Sequence, residues 1–519
     1  MTTERDGDSV PPGEARAARQ AAAPSADSAS TRSRPVPWLI RRIFPLLAAV
    51  VLTVVGMAFT IWYGPRMIHL SDWALPDDLW GTLTAAQRLV HLNLGGLYTE
   101  PTALITFPGA AVILVPIVAV IDAAGISLQL PGPENTQPAA WLLAGPYQVL
   151  LSSVVLFAAD AIAEHLGVTK PKRAFLAAAG AVVLWNVSVR WGHPEDALAV
   201  ALLLYGILAL SRSGRTARPA WLIGAAVAVQ PLVLLALPFV LVLIEPRRLA
   251  GFLARAAAPA TVLLAAAAAA NWTATVKAVT SQPNSPIVDH PTPWTSLAPH
   301  LSHDLVATGP ARVLTVLIAG GCALALRRRW RSALASAGWS PELVWELLWW
   351  VAAALALRSV LEPVMVAFYL WPPLAVALIP AARRWWRLVP ASLAAGTITF
   401  VSQNQWRGPW GWWSLMVAGL VVTLFFAGIP LRALPFLSGI PLRASSSGIP
   451  VRASLFSSST PVRAKGPAAP GPASPRALSL AQRYLKPARR RVAAEPTTPT
   501  DAALGGPQVS PADSGGTST

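Results

Sequence analysis

Apolar runs nearly free of charge recur along most of this chain. The clearest are Ile43 to Tyr63, Leu104 to Ile121, Trp141 to Ile162, Ala174 to Val189, Leu198 to Leu210, Leu249 to Ala270, Val313 to Leu326, Leu343 to Leu357, Met365 to Ile379, Val389 to Val401 and Trp412 to Phe426. About 20 apolar residues in a helix cross the hydrocarbon core of a bilayer. In that core a segment must satisfy its own backbone N–H and C=O groups, which selects the α-helix. The expected fold class is therefore all-α: a polytopic transmembrane helical bundle with about 11–13 membrane segments. Of the 519 residues, 54% are hydrophobic and only 13% charged, which excludes an ordinary soluble globular protein.

The net charge of +17 raises the question of nucleic acid. The distribution of the charge answers it: basic residues sit in short clusters between apolar runs and in the tails, the pattern of the positive-inside rule, and no nucleic-acid partner is expected. A single cysteine, Cys322, lies inside an apolar run, so intrachain disulfides are excluded.

Residues 1–37 are polar and rich in Ala, Ser and Arg, and are expected to be a disordered cytoplasmic N-terminus. Arg41 and Arg42 precede the first span, which is too long for a signal-peptide core and reads as an uncleaved anchor with its N-terminus inside. Residues 38–430 form the polytopic domain. The phrase GIPLRA begins at Gly428 and again at Gly439, with variants after them, and residues 431–519 read as a disordered basic cytoplasmic tail able to touch anionic lipid. The expected location is the plasma membrane, multi-pass.

Three crossings before Lys170, Lys172 and Arg173 would put that basic cluster outside, against the rule. Leu104 to Ile121, with Pro108 and Pro116 inside it, is the first suspect for a segment that does not cross. Pro219 to Ile244 is basic on both flanks and interrupted at Gln230-Pro231 and Pro238, so a broken or hairpin element is expected there.

The first outside loop, Gly64 to Pro101, is long and carries Asp72, Asp77 and Asp78. From Asp78 to Tyr98, apolar residues near helical spacing predict a helix lying on the membrane face. A carboxylate there can act as a general base. Asp77 and Asp78 could instead hold a divalent cation, but adjacent helical residues point in different directions, and the base reading is preferred. His193, Glu195 and Asp196 cluster at a span boundary. They suit sugar or phosphate binding, and equally a helix N-terminus with Pro194 and acids in its first turn. Arg358 and Glu362, four apart, either pair with each other or free Arg358 for a phosphate. His290 and the other loop histidines lack zinc-like spacing, so no metal site is expected.

Three stretches resemble the GT-C superfamily of membrane glycosyltransferases, and more closely its bacterial polyprenyl-phosphate-mannose-dependent mannosyltransferases. The first stretch is Asp78, Ala85-Ala86, Gly95-Gly96-Leu97-Tyr98 and Phe107-Pro108; the second is GHPEDALAVALLLYGILALSRSGR from Gly192; the third is GAAVAVQPLVLLALPFVL from Gly224. The resemblance implies a GT-C fold and an enzyme, a hexosyltransferase needing no cofactor. Such an enzyme moves a sugar, mannose above all, from a polyprenyl-phosphate donor to a lipid or glycan acceptor on the outer face. It implies catalysis at Asp78, with Asp77 and Asp72 beside it. Donor or acceptor binding would fall to His193, Glu195, Asp196 and Gln230, and to Arg358, Glu362 and Tyr369 where the resemblance extends to Arg358 to Ile379; His290, in the polar loop outside these stretches, is a further binding candidate. The family usually has Lys where this chain has Gln230; a Lys could pair with a lipid phosphate, whereas Gln can only hydrogen-bond it. The alternative classes are a transporter or flippase for a lipid or glycan, and a non-catalytic membrane scaffold of the same fold.

Overall fold

The computed structural model describes residues 38–67, 77–99, 104, 106–128, 138–287, 289–301, 305–403 and 410–430. Asp72 and the two tails expected to be disordered lie outside them. The chain separates into two compact units after Leu442, and every described residue belongs to the first. Its described residues form a mostly helical bundle with two short strand pairs.

Among the described residues, eight helices are long and apolar enough to cross a membrane. They are Ile43–Trp62, Ala140–His165, Lys170–Arg190, Pro194–Ser213, Pro246–Ala270, Gly309–Ala337, Pro341–Leu361 and Gly411–Gly428. Ala217–Val229 and Ala367–Ala381 are apolar but shorter. Fewer than the expected 11–13 segments are long enough to cross among the described residues, because several apolar runs form short or broken helices.

Leu104 to Ile121 is one of these. Its prolines start two short helices, Gly109–Val112 after Pro108 and Val115–Ala123 with Pro116 in its first turn. Proline suits a helix start because it lacks the N–H that a helix interior would need. With no long helix here, the basic cluster at Lys170 falls on the same side as Arg41 and Arg42, and the parity conflict disappears.

The helix expected to lie on the membrane face is Asp77–Val90. It is more enclosed than expected. Leu79, Leu83, Ala85 and Ala86 are fully buried, in one cluster with Leu114, Val118 and Ile121 of the neighbouring short helices. At about 25 cal/mol per Å² of apolar surface, this burial fixes the loop helix firmly in place.

The segment after Ala217 is broken, as its prolines predict. Ala217–Val229 ends at Gln230, whose backbone is extended (φ −151°, ψ 118°), and a short 3₁₀ turn, Pro231–Leu235, follows. Proline at 231 disfavours helix at 230. The break lies beside Gly109, where a Cβ would come within 2.2 Å of the Ala228 carbonyl oxygen. Only glycine lets these two chains approach so closely.

At the basic end of the bundle, Asp160 is buried between two arginines. Arg42 Nη1 donates to Asp160 Oδ2 at 2.6 Å; Arg173 Nε and Nη2 donate to its two oxygens, each at 2.7 Å. Arg41 and Arg42 also reach Glu164. Far along the chain, the long loop after Ala270 is pinned by two short antiparallel strand pairs: Pro283–Asn284 with Val306–Ala307, and His290–Pro291 with Val364–Met365.

Candidate active site

The helix that begins at Lys170 ends in a π-helical turn, Asn186–Arg190. Such widened turns often occur at functional sites. Here the turn is held by Asn186 Nδ2, which donates to the Thr399 carbonyl at 2.8 Å and to Ser402 Oγ at 3.0 Å. The chain then reverses at Gly192 (φ +68°) and starts the helix Pro194–Ser213. A Cβ on Gly192 would lie 2.8 Å from the Leu79 Cβ. Glycine thus serves twice: it takes the left-handed turn, and it lets the loop helix press against the turn. That contact delivers Asp78 to His193.

Both nitrogens of His193 face carboxylates. Nδ1 lies 2.7 Å from Glu195 Oε1 and Nε2 3.0 Å from Asp78 Oδ2, while the ring stacks on Phe368 at 4.0 Å between centroids. Burial disfavours the charged ring, but the charge of Glu195, the hydrogen bonds to Asp78 and Glu195, and the charge of Asp78 outweigh it. His193 is raised well above its ordinary value. It is held as an imidazolium that donates to both acids. Burial also works to raise Asp78, yet the hydrogen bond from His193 and its positive charge hold the carboxyl below its usual value. Asp78 is therefore an ionised carboxylate at neutral pH.

A further acid, Asp289, stands near this group. Burial and the negative charge of Asp78 push it up to about 6. An acid whose folded pKa lies above its unfolded value destabilises the fold once pH rises through that window, here from about 3.8 to about 6. Asp289→Asn should accordingly raise the thermal midpoint at pH 7, with the gain shrinking toward pH 4. Melting curves across that range check it; a gain independent of pH would contradict the assignment.

Asp196 belongs to a second chain of hydrogen bonds. Gln230 Nε2 donates to Asp196 Oδ1 at 2.5 Å, and Gln230 Oε1 accepts from Thr106 Oγ1 at 3.0 Å. A lysine at 230 could not accept from Thr106. The extended backbone at the helix break places Gln230 in this bridge. The acids do not cap their helix by hydrogen bonds: Glu195 binds His193 and Asp196 binds Gln230, although negative charge in the first turn still suits the helix dipole. Glu195 Oε2 and Asp196 Oδ2, both buried, have no hydrogen-bond partner among the described residues.

Two arginines form the cationic part. Arg312 donates from Nη2 and Nε to Glu362 Oε1 at 2.5 and 2.9 Å, and also to Gln282. Arg358 is held more loosely, its Nε 3.8 Å from Glu362 Oε2 and its guanidinium 4.0 Å above the Tyr369 ring. The expected pairing of Arg358 with Glu362 is thus the minor one; Glu362 chiefly serves Arg312.

These groups enclose a cleft of about 690 Å³, its open mouth included, lined by His193, Glu195, Asp196, Gln230, Arg312, Arg358, Phe368 and Tyr369, among others. Asp78 touches the cleft through His193, and Thr82, one turn later on the loop helix, lines it. Glu362 lies behind the arginines, outside the lining. His290 also falls outside, contrary to expectation: its strand pairs with Met365 and its ring stacks on Trp412 at 3.8 Å. Asp77 begins the loop helix. Among the described residues, no group of three or more His, Cys, Asp or Glu could hold a metal ion. Sequence reasoning missed Arg312, Gln282, Thr106, Phe368 and Asp289. Only Asp289 carried a signal, standing beside His290 in a polar loop. No family model matches the chain, and no curated protein is significantly similar to it.

Proposed function

We propose that the chain is a GT-C-type glycosyltransferase of the plasma membrane that moves a sugar, mannose by the resemblance, from a polyprenyl-phosphate donor to a lipid or glycan acceptor on the outer face. One observation carries the reading. The His193-Glu195-Asp196 motif and Arg358, from distant parts of the chain, line one cleft, and the Asp78 carboxylate from the first loop adjoins it through its hydrogen bond with His193. An acid–base group and a phosphate-binding cation at one site are what transfer from a glycosyl phosphate needs. In that scheme the acceptor hydroxyl attacks the anomeric carbon. Asp78 takes its proton as the bond to phosphate breaks, and the polyprenyl phosphate departs with the electron pair. Arg358 faces the phosphate and stabilises the charge that grows on it.

The experiment is sugar transfer by the purified chain from radiolabelled polyprenyl-phosphate mannose to membrane lipid extracts. No release of polyprenyl phosphate under any acceptor condition would sink the reading. Arg358→Ala should weaken donor binding by about 1.5–3 kcal/mol, the worth of a hydrogen bond to a charged group, and Arg358→Lys should recover part of it. Unchanged affinity in both variants would leave Arg358 a packing partner of Tyr369.

The positive-inside rule, applied to the basic loops, supports cytoplasmic termini and a cleft at the outer face. Single cysteines introduced at exposed Ile287 or Leu297, in a Cys322→Ala background, should then react with membrane-impermeant reagents applied to intact cells. Reaction only after permeabilisation would reverse this orientation.

A further inference from the structure

We infer that Glu195 and Asp196 grip two different hydroxyl groups of the transferred sugar, each through its second carboxylate oxygen. The inference rests on the proposed glycosyl transfer and gives its cleft a substrate-reading element.

The argument is one of unused acceptors. Each carboxylate has one oxygen already committed: Glu195 Oε1 to His193 Nδ1, and Asp196 Oδ1 to Gln230 Nε2. The other oxygen of each is buried without a partner among the described residues, and both residues line the cleft. Buried polar groups are nearly always hydrogen-bonded, so two such orphans in adjacent residues point to a ligand that supplies the missing donors. A carboxylate oxygen accepts and does not donate, so its partner is a donor and not a deprotonated phosphate oxygen; on a glycosyl phosphate the donors are the sugar hydroxyls.

Neighbouring protein groups fix the aim of both acids. His193 is clamped between Asp78 and Glu195, and stacks on Phe368. Gln230 is clamped between Asp196 and Thr106. Neither acid can swing toward water without giving up a short hydrogen bond. Consecutive residues on a helix point about 100° apart, so the two oxygens suit separate hydroxyls. Arg358 and the two acids line the same cleft, which offers a cation to the phosphate and acceptors to the sugar ring. Gln230 acquires a role on this reading: it positions Asp196 and makes no contact with phosphate.

The test measures binding of two probes by the full chain in lipid nanodiscs: polyprenyl phosphate bearing mannose, and the same lipid phosphate without sugar. Glu195→Gln and Asp196→Asn each keep the oxygen already in use and replace the orphan with an amide nitrogen. Each should weaken the sugar-bearing probe by about tenfold to a hundredfold, the usual result of leaving a buried acceptor mismatched, and leave the bare lipid phosphate unchanged. Equal loss of both probes would overturn the inference, because it would show only a disturbed fold. If either variant fails to fold, donors lacking one ring hydroxyl at a time, bound to the unaltered chain, report the same contacts. Two positions should then stand out, and uniform binding of all the deoxy donors would refute the grip. Binding of neither probe by the unaltered chain would instead defeat the proposed donor itself.

Discussion

Asp78→Asn is expected to lower sugar transfer by about a hundred- to ten-thousand-fold, the contribution of a general base, while the protein still folds and binds donor. The amide keeps the shape of the side chain and retains an oxygen for the hydrogen bond from His193 Nε2. What it loses is basicity. His193 holds the Asp78 carboxyl below its usual range, so the base is ionised at any pH near neutrality and accepts its proton late, as the acceptor oxygen becomes acidic through bond formation. Asp77→Asn and Asp72→Asn should cost much less. The measurement is turnover of radiolabelled polyprenyl-phosphate donor by purified variants, with thermal stability followed in parallel. Full activity in Asp78→Asn would remove the base from this position. Loss confined to Asp77→Asn or Asp72→Asn would move it along the loop.

Glu362→Ala should be the most destabilising single change around the cleft, by about 3–5 kcal/mol, the cost of breaking a buried ion pair from one side. Glu362 is only 1% exposed and carries Arg312 on one oxygen and Arg358, less closely, on the other. Removing it leaves two guanidinium groups facing each other without a counter-charge. Its backbone carbonyl also accepts from Thr292 Oγ1 at 2.8 Å, a contact that survives the substitution, so the loss reports the charge itself. Thermal unfolding in detergent at low and high salt would measure it. A midpoint matching the parent protein would mean that the arginines find other partners, and that Glu362 is dispensable.

Much of this architecture was legible in the sequence, for a physical reason: lipid imposes length and composition on each span. Ile43–Trp62, Pro246–Ala270 and Pro341–Leu361 are read directly from their apolar runs. Leu104 to Ile121 shows where composition stops being enough. A run that looks like a span becomes two short helices because its prolines divide it; one face packs on protein while Val112 and Val120 stay exposed. The candidate site was legible wherever a polar residue interrupted an apolar pattern, as with His193, Glu195, Asp196, Gln230 and Arg358. Arg312 was not, because an arginine in the first turn of a long apolar helix looks like an ordinary membrane flank. Its bond to Glu362 joins residues 50 positions apart. Asp289 went unremarked beside His290 for a related reason. Successive residues entering a strand face opposite ways, and only the fold decides which of the two meets Asp78.

The buried cluster around Asp160 bears on how the helices are held in register. Its charges come from three successive long helices: Arg41 and Arg42 at the start of the first, Asp160 and Glu164 near the end of the second, Arg173 at the start of the third. Burying a charge without its partner is costly. Each of the three helices therefore completes its charge balance only against the other two, and neutralising Asp160 would leave Arg42 and Arg173 with the partly exposed Glu164 alone. The basic end of the bundle acts as a lock that closes only when all three helices stand in register.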